Sequence, residues 1–186
     1  MKTRVAIEAD ISGILELQAK NLYTNLSEAD RKNGFVTTPF TIEQIKIVLN
    51  QTGLFVAEME SGIVGYAFAG SWDFFSQWPI FPYMVSRFPQ LNFKEHSLTT
   101  SNTFQYGPVC IDQALRGGNI FPQLFATMRS GMASRYPIGL TFINKANPRS
   151  FAAHTRKLDL EVVDEFEFNG NFYYGLGFWT KNNHHF

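Results

Sequence analysis

The chain has 186 residues, and its 16 Lys and Arg balance 16 Asp and Glu to a formal net charge of zero. That length suits one domain with a sizeable core, and the balance leaves no basic field to hold nucleic acid or anionic lipid. No stretch approaches the roughly 18 apolar residues of a membrane span, the opening MKTRVAIEAD lacks an apolar leader core, and the lone Cys110 excludes an internal disulfide framework. A single domain over residues 1–186 in the reducing cytoplasm is expected, with no metal site, because no paired Cys/His spacing is present.

The predicted elements alternate along the chain. RVAI (4–7) reads as a short strand, and Asp10 stands where an N-cap belongs, ahead of Ile11, Ile14, Leu15 and Leu22 at helical spacing. TIEQIKIVL (41–49) opens with a Thr41-x-x-Gln44 capping box and puts Ile42, Ile45, Val48 and Leu49 on one face. LFVAEM (54–59) and IVGYAFAG (63–70) flank the turn Glu-Ser-Gly as a hairpin, and TFQYGPVCI (103–111) is the next strand. PQLFATMRSGMASRY (122–136) predicts a helix with Leu124, Met128 and Met132 on one side. LTFIN (140–144) follows as a strand and RSFAAHTRKL (149–158) as a short helix. LEVVDEFEF (160–168) and NFYYGLGFW (171–179) flank Asn169-Gly170, a strong two-residue hairpin signal. The order gives a mixed sheet with helices on its faces, in the α/β or α+β class.

Two stretches invite a functional reading. In IDQALRGGNIFPQLF (111–125) a strand runs into a Gly-rich turn and then a helix start. Successive backbone N–H groups there form an anion-binding concavity, with Arg116 adding charge and Gly117-Gly118 admitting a bulky diphosphate. The plain alternative is that the glycines only turn the chain. The second stretch is aromatic: 19 Phe, 7 Tyr and 3 Trp exceed what a core of this size needs, and many crowd into residues 71–88. Trp72, Phe74, Phe75 and Trp78, with Phe81 and Tyr83, could line a pocket, cover an interface between copies, or form a satellite core.

YGPVCIDQALRGGNIFPQLF (106–125), in this order of elements, resembles the central motif of the GNAT superfamily of N-acetyltransferases: a strand, then Arg/Gln-x-x-Gly-x-Gly/Ala at a helix start. NPRSFAAHTRKLDLEVVDEF (147–166) resembles that family's Asn-x-x-Ser/Ala helix before its closing hairpin, and LFVAEMESGIVGYAFA (54–69) and VAIEADISGILELQAKNL (5–22) its central hairpin and opening. The likeness runs through the whole chain apart from an aromatic insertion at about residues 71–100.

The resemblance implies a mixed, mostly antiparallel sheet with helices on both faces and a splayed strand pair forming an acyl-CoA cleft. It implies acetyl transfer from acetyl-CoA, as cosubstrate, to a primary amine of a small molecule or peptide. The backbone of Val109 and Ile111 would pair with the pantetheine arm. Arg116 and the amides of Gly117, Gly118, Asn119, Ile120 and Phe121 would take the pyrophosphate, with Asn147 and Ser150 on the arm's other side. His154 falls where many members carry a tyrosine that protonates the leaving thiolate; otherwise it packs or caps its helix. Tyr106 is the better candidate base beside Gln105 and Glu58, or else a core tyrosine, and Cys110 reads as a small core residue. His184-His185 reads as a tail. The insertion would face the acceptor, the role expected of Trp72, Phe74, Phe75 and Trp78, or serve a homodimer. Asn119 and Phe121 stand where the pattern has small residues, and Asp159-Leu160 replaces Gly-Phe. These departures are what the second reading has in its favour, a non-catalytic domain of the same fold that binds a small ligand or partner through its aromatic surface.

Overall fold

The computed structural model describes residues 1–31, 34–37 and 39–181. The elements are β1 (Lys2–Val5), α1 (Ile11–Asn21), α2 (Glu28–Arg31), α3 (Ile42–Asn50), β2 (Leu54–Met59), β3 (Gly62–Gly70), α4 (Trp72–Phe75), α5 (Ile80–Arg87), β4 (Asn92–Phe93), β5 (His96–Ser97), β6 (Thr103–Ile111), α6 (Ile120–Met132), β7 (Ile138–Asn144), α7 (Pro148–Ala152), β8 (Glu161–Phe168) and β9 (Asn171–Trp179). The strand order is β1-β2-β3-β6-β7-β9-β8, with a separate β4-β5 ribbon. Strands β1–β2, β2–β3, β7–β9 and β8–β9 pair antiparallel, and β6 pairs parallel with β7 through Thr103–Gln105 and Ile138–Leu140. The mixed, mostly antiparallel sheet matches the expected class.

The chain forms two compact units, crossing between them after Ala69, Tyr106 and Gly131. Strand β6 contributes to both, changing unit at Gly107, which joins Pro108 through a cis peptide. The first unit holds β1, β2, all but the last residue of β3, residues 107–111 of β6, α1, α2, α3 and all but the last residue of α6. Its buried side chains include Ile14 and Leu17 of α1, Ile45 and Val48 of α3, Leu54 to Val56 of β2, and Leu124 and Met128 of α6. The Phe40 and Phe68 rings stack at 4.2 Å. The Thr41 capping box forms as expected: Gln44 N–H donates to Thr41 Oγ1 at 3.3 Å, and Gln44 Oε1 accepts the Thr41 N–H at 2.9 Å. Thr41→Ala should therefore lower unfolding stability by about 1 kcal/mol in urea titration.

Three local expectations shift. The first strand is Lys2–Val5, two residues earlier than expected. Asp10 is not an N-cap: its backbone is helical, and its carboxylate accepts both Arg4 Nη groups, at 2.6 and 2.9 Å, and the Ile7 N–H at 2.8 Å. A bidentate guanidinium outcompetes one helix N–H for a carboxylate, and it holds the Asp10 pKa below the usual range. Ile42 lies in the first turn of α3 and is 45% exposed, so Ile45 and Val48 alone anchor that helix fully.

The second unit holds residues 103–106 of β6 with β7, β9 and β8, the short helices α4, α5 and α7, and the β4-β5 ribbon. Asn169 and Gly170 take φ of +49° and +76°, the primed-turn geometry that Asn-Gly favours. Helix α7 is shorter than expected, passing into a π-helical turn at Ala153–Lys157. Terminal strand β8 shifts register between Val162 and Asp164. Three of its four carboxylates are matched: Glu161 with Lys94, Asp164 with Arg87 at 2.6 Å, and Glu165 with Lys145. No helix among the described residues is long and apolar enough to cross a membrane.

Candidate functional site

In the first unit, β6 ends at Ile111 and Asp112 turns the chain. Its N–H donates to Val64 O at 2.9 Å, and its Oδ1 accepts the Ala114 N–H at 2.9 Å, capping a 3₁₀ turn over Gln113–Leu115. Gly117 then adopts φ +91°, a left-handed conformation costly for a residue with a Cβ. Residues 117–119 are exposed, while Ile120 is buried and starts α6 two residues before the expected position. The Gln123 N–H closes the first helical bond to Asn119 O at 3.2 Å, and Pro122 fits the first turn because a donor there has no intrahelical acceptor. Among the described residues beyond its chain neighbours, a Cβ on Gly117 would meet nothing within 4 Å, and one on Gly118 only Leu115 O at 3.7 Å, so the turn is open on its Cβ side. Phe121 is half-buried.

Arg116 does not extend into that open side. Its Nε–H donates to Ile111 O at 2.9 Å, Nη1 to Gly34 O at 3.1 Å, and Nη2 to Asn21 Oδ1. Val109 is half-buried and Ile111 buried. Cys110, between them, is buried, and burial pushes its thiol up to about 12, so it is inert core, as expected.

In the second unit, Tyr106, Asn147, Ser150 and His154 come together around α7. Asn147 is the N-cap: its Oδ1 accepts the Ser150 N–H at 3.1 Å, and Pro148 occupies the first helical position. One turn on, His154 Nδ1–H donates to Ser150 O at 2.8 Å. That bond fixes the neutral tautomer whose Nε2 carries the lone pair. The imidazole is 4% exposed, and burial lowers its pKa to about 4 against the opposing Ser150 bond. Near neutrality the imidazole is therefore mostly uncharged and its one N–H is engaged by Ser150 O, which weighs against the acid role expected of His154. The Tyr106 ring lies 5.8 Å from the imidazole and is fully buried. Burial raises its phenol pKa well above the usual value, which favours the protonated form and weighs against the base role expected of Tyr106.

The lesser candidates are structural in their contacts. Glu58 Oε2 accepts Arg4 Nε–H at 3.0 Å, and Gln105 Nε2–H donates to Tyr106 O at 2.7 Å. His184-His185 lies outside the described residues.

The aromatic insertion packs on itself within the second unit. Trp72 Nε1–H donates to Thr103 Oγ1 at 2.9 Å. The Phe75 ring lies 5.0 Å from Phe74 and 4.7 Å from Phe81, which contacts Phe142 at 5.5 Å. Tyr83 packs 5.9 Å from Phe166. Trp72, Phe74 and Phe75 are buried and Trp78 half-buried. Of the three expectations for this segment, these contacts fit the satellite core, and the burial of Trp72, Phe74 and Phe75 leaves little of those rings exposed to line an acceptor pocket. The physical reason is that burying apolar aromatic surface stabilises the segment more than leaving it wet.

No family model matches the sequence, and no curated protein matches it. Among solved structures, the chain is similar to a ribosomal-protein-alanine N-acetyltransferase from Brucella melitensis, at 19% identity and a TM-score of 0.62, covering 96% of this chain and 99% of that one. It is similar to an N-acetyltransferase from Staphylococcus aureus Mu50, at 19% identity and a TM-score of 0.59, covering 97% and 98%. It also matches a GNAT superfamily phosphinothricin acetyltransferase from Sinorhizobium meliloti in complex with acetyl-CoA, at 18% identity and a TM-score of 0.61, covering 96% and 87%. The chain has the GNAT fold.

Within this GNAT fold, sequence reasoning identified the strand, turn and helix start of residues 103–121 but missed Asn21 and Gly34, which hold Arg116. One signal was available for Asn21. It continues the buried α1 face of Ile14 and Leu17, and a polar residue on such a face needs a partner. Among the described residues, no group of three His, Cys, Asp or Glu side chains could hold a metal ion.

Proposed function

We propose that this chain is an acyl-CoA-dependent N-acetyltransferase that moves an acetyl group from acetyl-CoA to a primary amine of a small molecule or peptide. The observation that carries the reading is the Gly117-Gly118 turn between β6 and α6, where, among the described residues, a Cβ on Gly117 would meet nothing within 4 Å beyond its chain neighbours and a helix start follows directly. Those residues fit a diphosphate: Gly117, Gly118, Asn119, Ile120 and Phe121 would supply N–H donors. Val109 and Ile111 would offer backbone groups to the pantetheine arm, and an N–H of the same strand would bind the thioester oxygen as charge develops on it.

The acceptor amine attacks the thioester carbonyl carbon, the C–S bond breaks, CoA leaves as the thiolate, and the amine's proton passes to solvent. The chain contributes positioning and backbone electrostatics, with no side-chain base assigned. Acetyl transfer is also what supports the reading among structures of this fold, two of which hold acetyl-CoA. The lone buried Cys110 supports a reducing, cytoplasmic setting.

Thermal unfolding with acetyl-CoA at about 100 times its Kd should show a stabilisation of about 2.7 kcal/mol, or roughly 5–10 °C for a chain of this size. No shift at millimolar acetyl-CoA would move the reading to a non-catalytic binding domain.

A further inference from the structure

We infer that Arg116 is a positioning residue that sets the Gly117-Gly118 turn through Asn21 and Gly34, rather than a ligand of the diphosphate. The binding arm of this inference rests on the function proposed above; the geometry does not. The guanidinium spans three oxygens of the chain itself: Ile111 O behind it, Gly34 O, and Asn21 Oδ1 across 95 residues of sequence. Asn21 is a rigid anchor. It is 3% exposed, its Nδ2–H donates to Leu17 O at 2.8 Å, and its own carbonyl accepts the Val36 N–H at 2.9 Å. The Tyr23 N–H returns to Val36 O at 2.9 Å, so the segment following α1 is tied at two points beside this anchor. A second, longer link joins the other end of the turn, from Gln113 Nε2 to Asp30 Oδ1 at 3.5 Å.

The chemistry selects arginine for this task. A planar guanidinium directs donors along several fixed lines, which suits three acceptors on three separate segments. An ammonium on a flexible stem keeps the charge but cannot reproduce that fan. Ile111 precedes the turn and Gly117 follows Arg116 directly, so fixing Arg116 at these three points fixes the direction from which the chain enters the left-handed Gly117.

Arg116→Lys separates the two roles, because it keeps the charge and removes the fork. Amide hydrogen exchange over residues 112–119, measured without ligand, should quicken about tenfold or more in Arg116→Lys and in Arg116→Ala alike. Kd for CoA should rise about tenfold in both, while Kd for pantetheine, which lacks the phosphates, should stay within about twofold of the parent. Asn21→Ala should move exchange and CoA affinity in the same direction, and it carries the test should the Arg116 variants not fold. Unchanged loop exchange in Arg116→Lys, with CoA affinity kept by lysine and lost with alanine, would overturn the inference in favour of a direct charge contact. If the parent chain binds no CoA, the function proposed above fails, and the exchange comparison still decides the role of Arg116.

Discussion

Gly117→Asp should abolish the thermal shift that acetyl-CoA produces while leaving a folded protein. Gly117 has φ +91°, so any Cβ there costs about 1–2 kcal/mol of backbone strain, with aspartate among the side chains that tolerate positive φ best. The described residues add no steric penalty, because none beyond the chain neighbours lies within 4 Å of a Cβ at this position. The effect on the ligand is much larger. A carboxylate set about 4 Å from one phosphate charge, in surroundings with an effective dielectric near 20, is opposed by about 4 kcal/mol, close to a thousandfold in affinity. Gly117→Ala supplies the strain without the charge and should keep most of the shift. Equal losses in both variants would show that backbone conformation, and not charge, limits binding. A full shift in Gly117→Asp would place the diphosphate elsewhere.

The second large effect is on stability against pH. The folded His154 pKa near 4 lies below the ordinary value of about 6.5, so the unfolded chain binds the proton more tightly. The native state therefore gains stability from this residue that is complete above about pH 6.5 and is lost as pH falls through about 4. The difference amounts to about 3 kcal/mol. Urea denaturation across that range should show the parent losing about that much more than His154→Gln, whose side chain cannot titrate but can still donate to Ser150 O. Parallel stability profiles would mean that the folded imidazole titrates at its ordinary value, and would reopen its role as a proton donor. Asp10, whose pKa Arg4 lowers, adds an acid-side loss common to both proteins.

What the sequence revealed and what it hid follow from the range of the contacts involved. The Thr41-Gln44 box, the Asn169-Gly170 turn and the Leu124, Met128, Met132 face are written in neighbouring residues, and all three form as expected. The Gly-rich turn was legible for the same reason, since a glycine pair before a helix start is a local pattern. Asp10 was misread because its partner, Arg4, comes from the preceding strand and outweighs the local helix preference. The bonds of Arg116 to Asn21 and Gly34 were not legible, because Asn21 lies 95 residues away and no periodicity connects them. The charge state of His154 was hidden by burial, which a sequence reports only through the residues that later surround it.

The pattern of charges on β8 bears on how the molecule behaves among its own copies. As the last strand in the order, it has one side without a strand partner among the described residues, a side where a strand from another chain could in principle dock and propagate. Glu161, Asp164 and Glu165 are held there by Lys94, Arg87 and Lys145, and the register slip at Val162–Asp164 bends the ladder out of regular repeat. An incoming strand would have to strip water from charged pairs and match a broken spacing, so this edge disfavours sheet-to-sheet polymerisation in a chain whose net charge of zero offers little long-range repulsion.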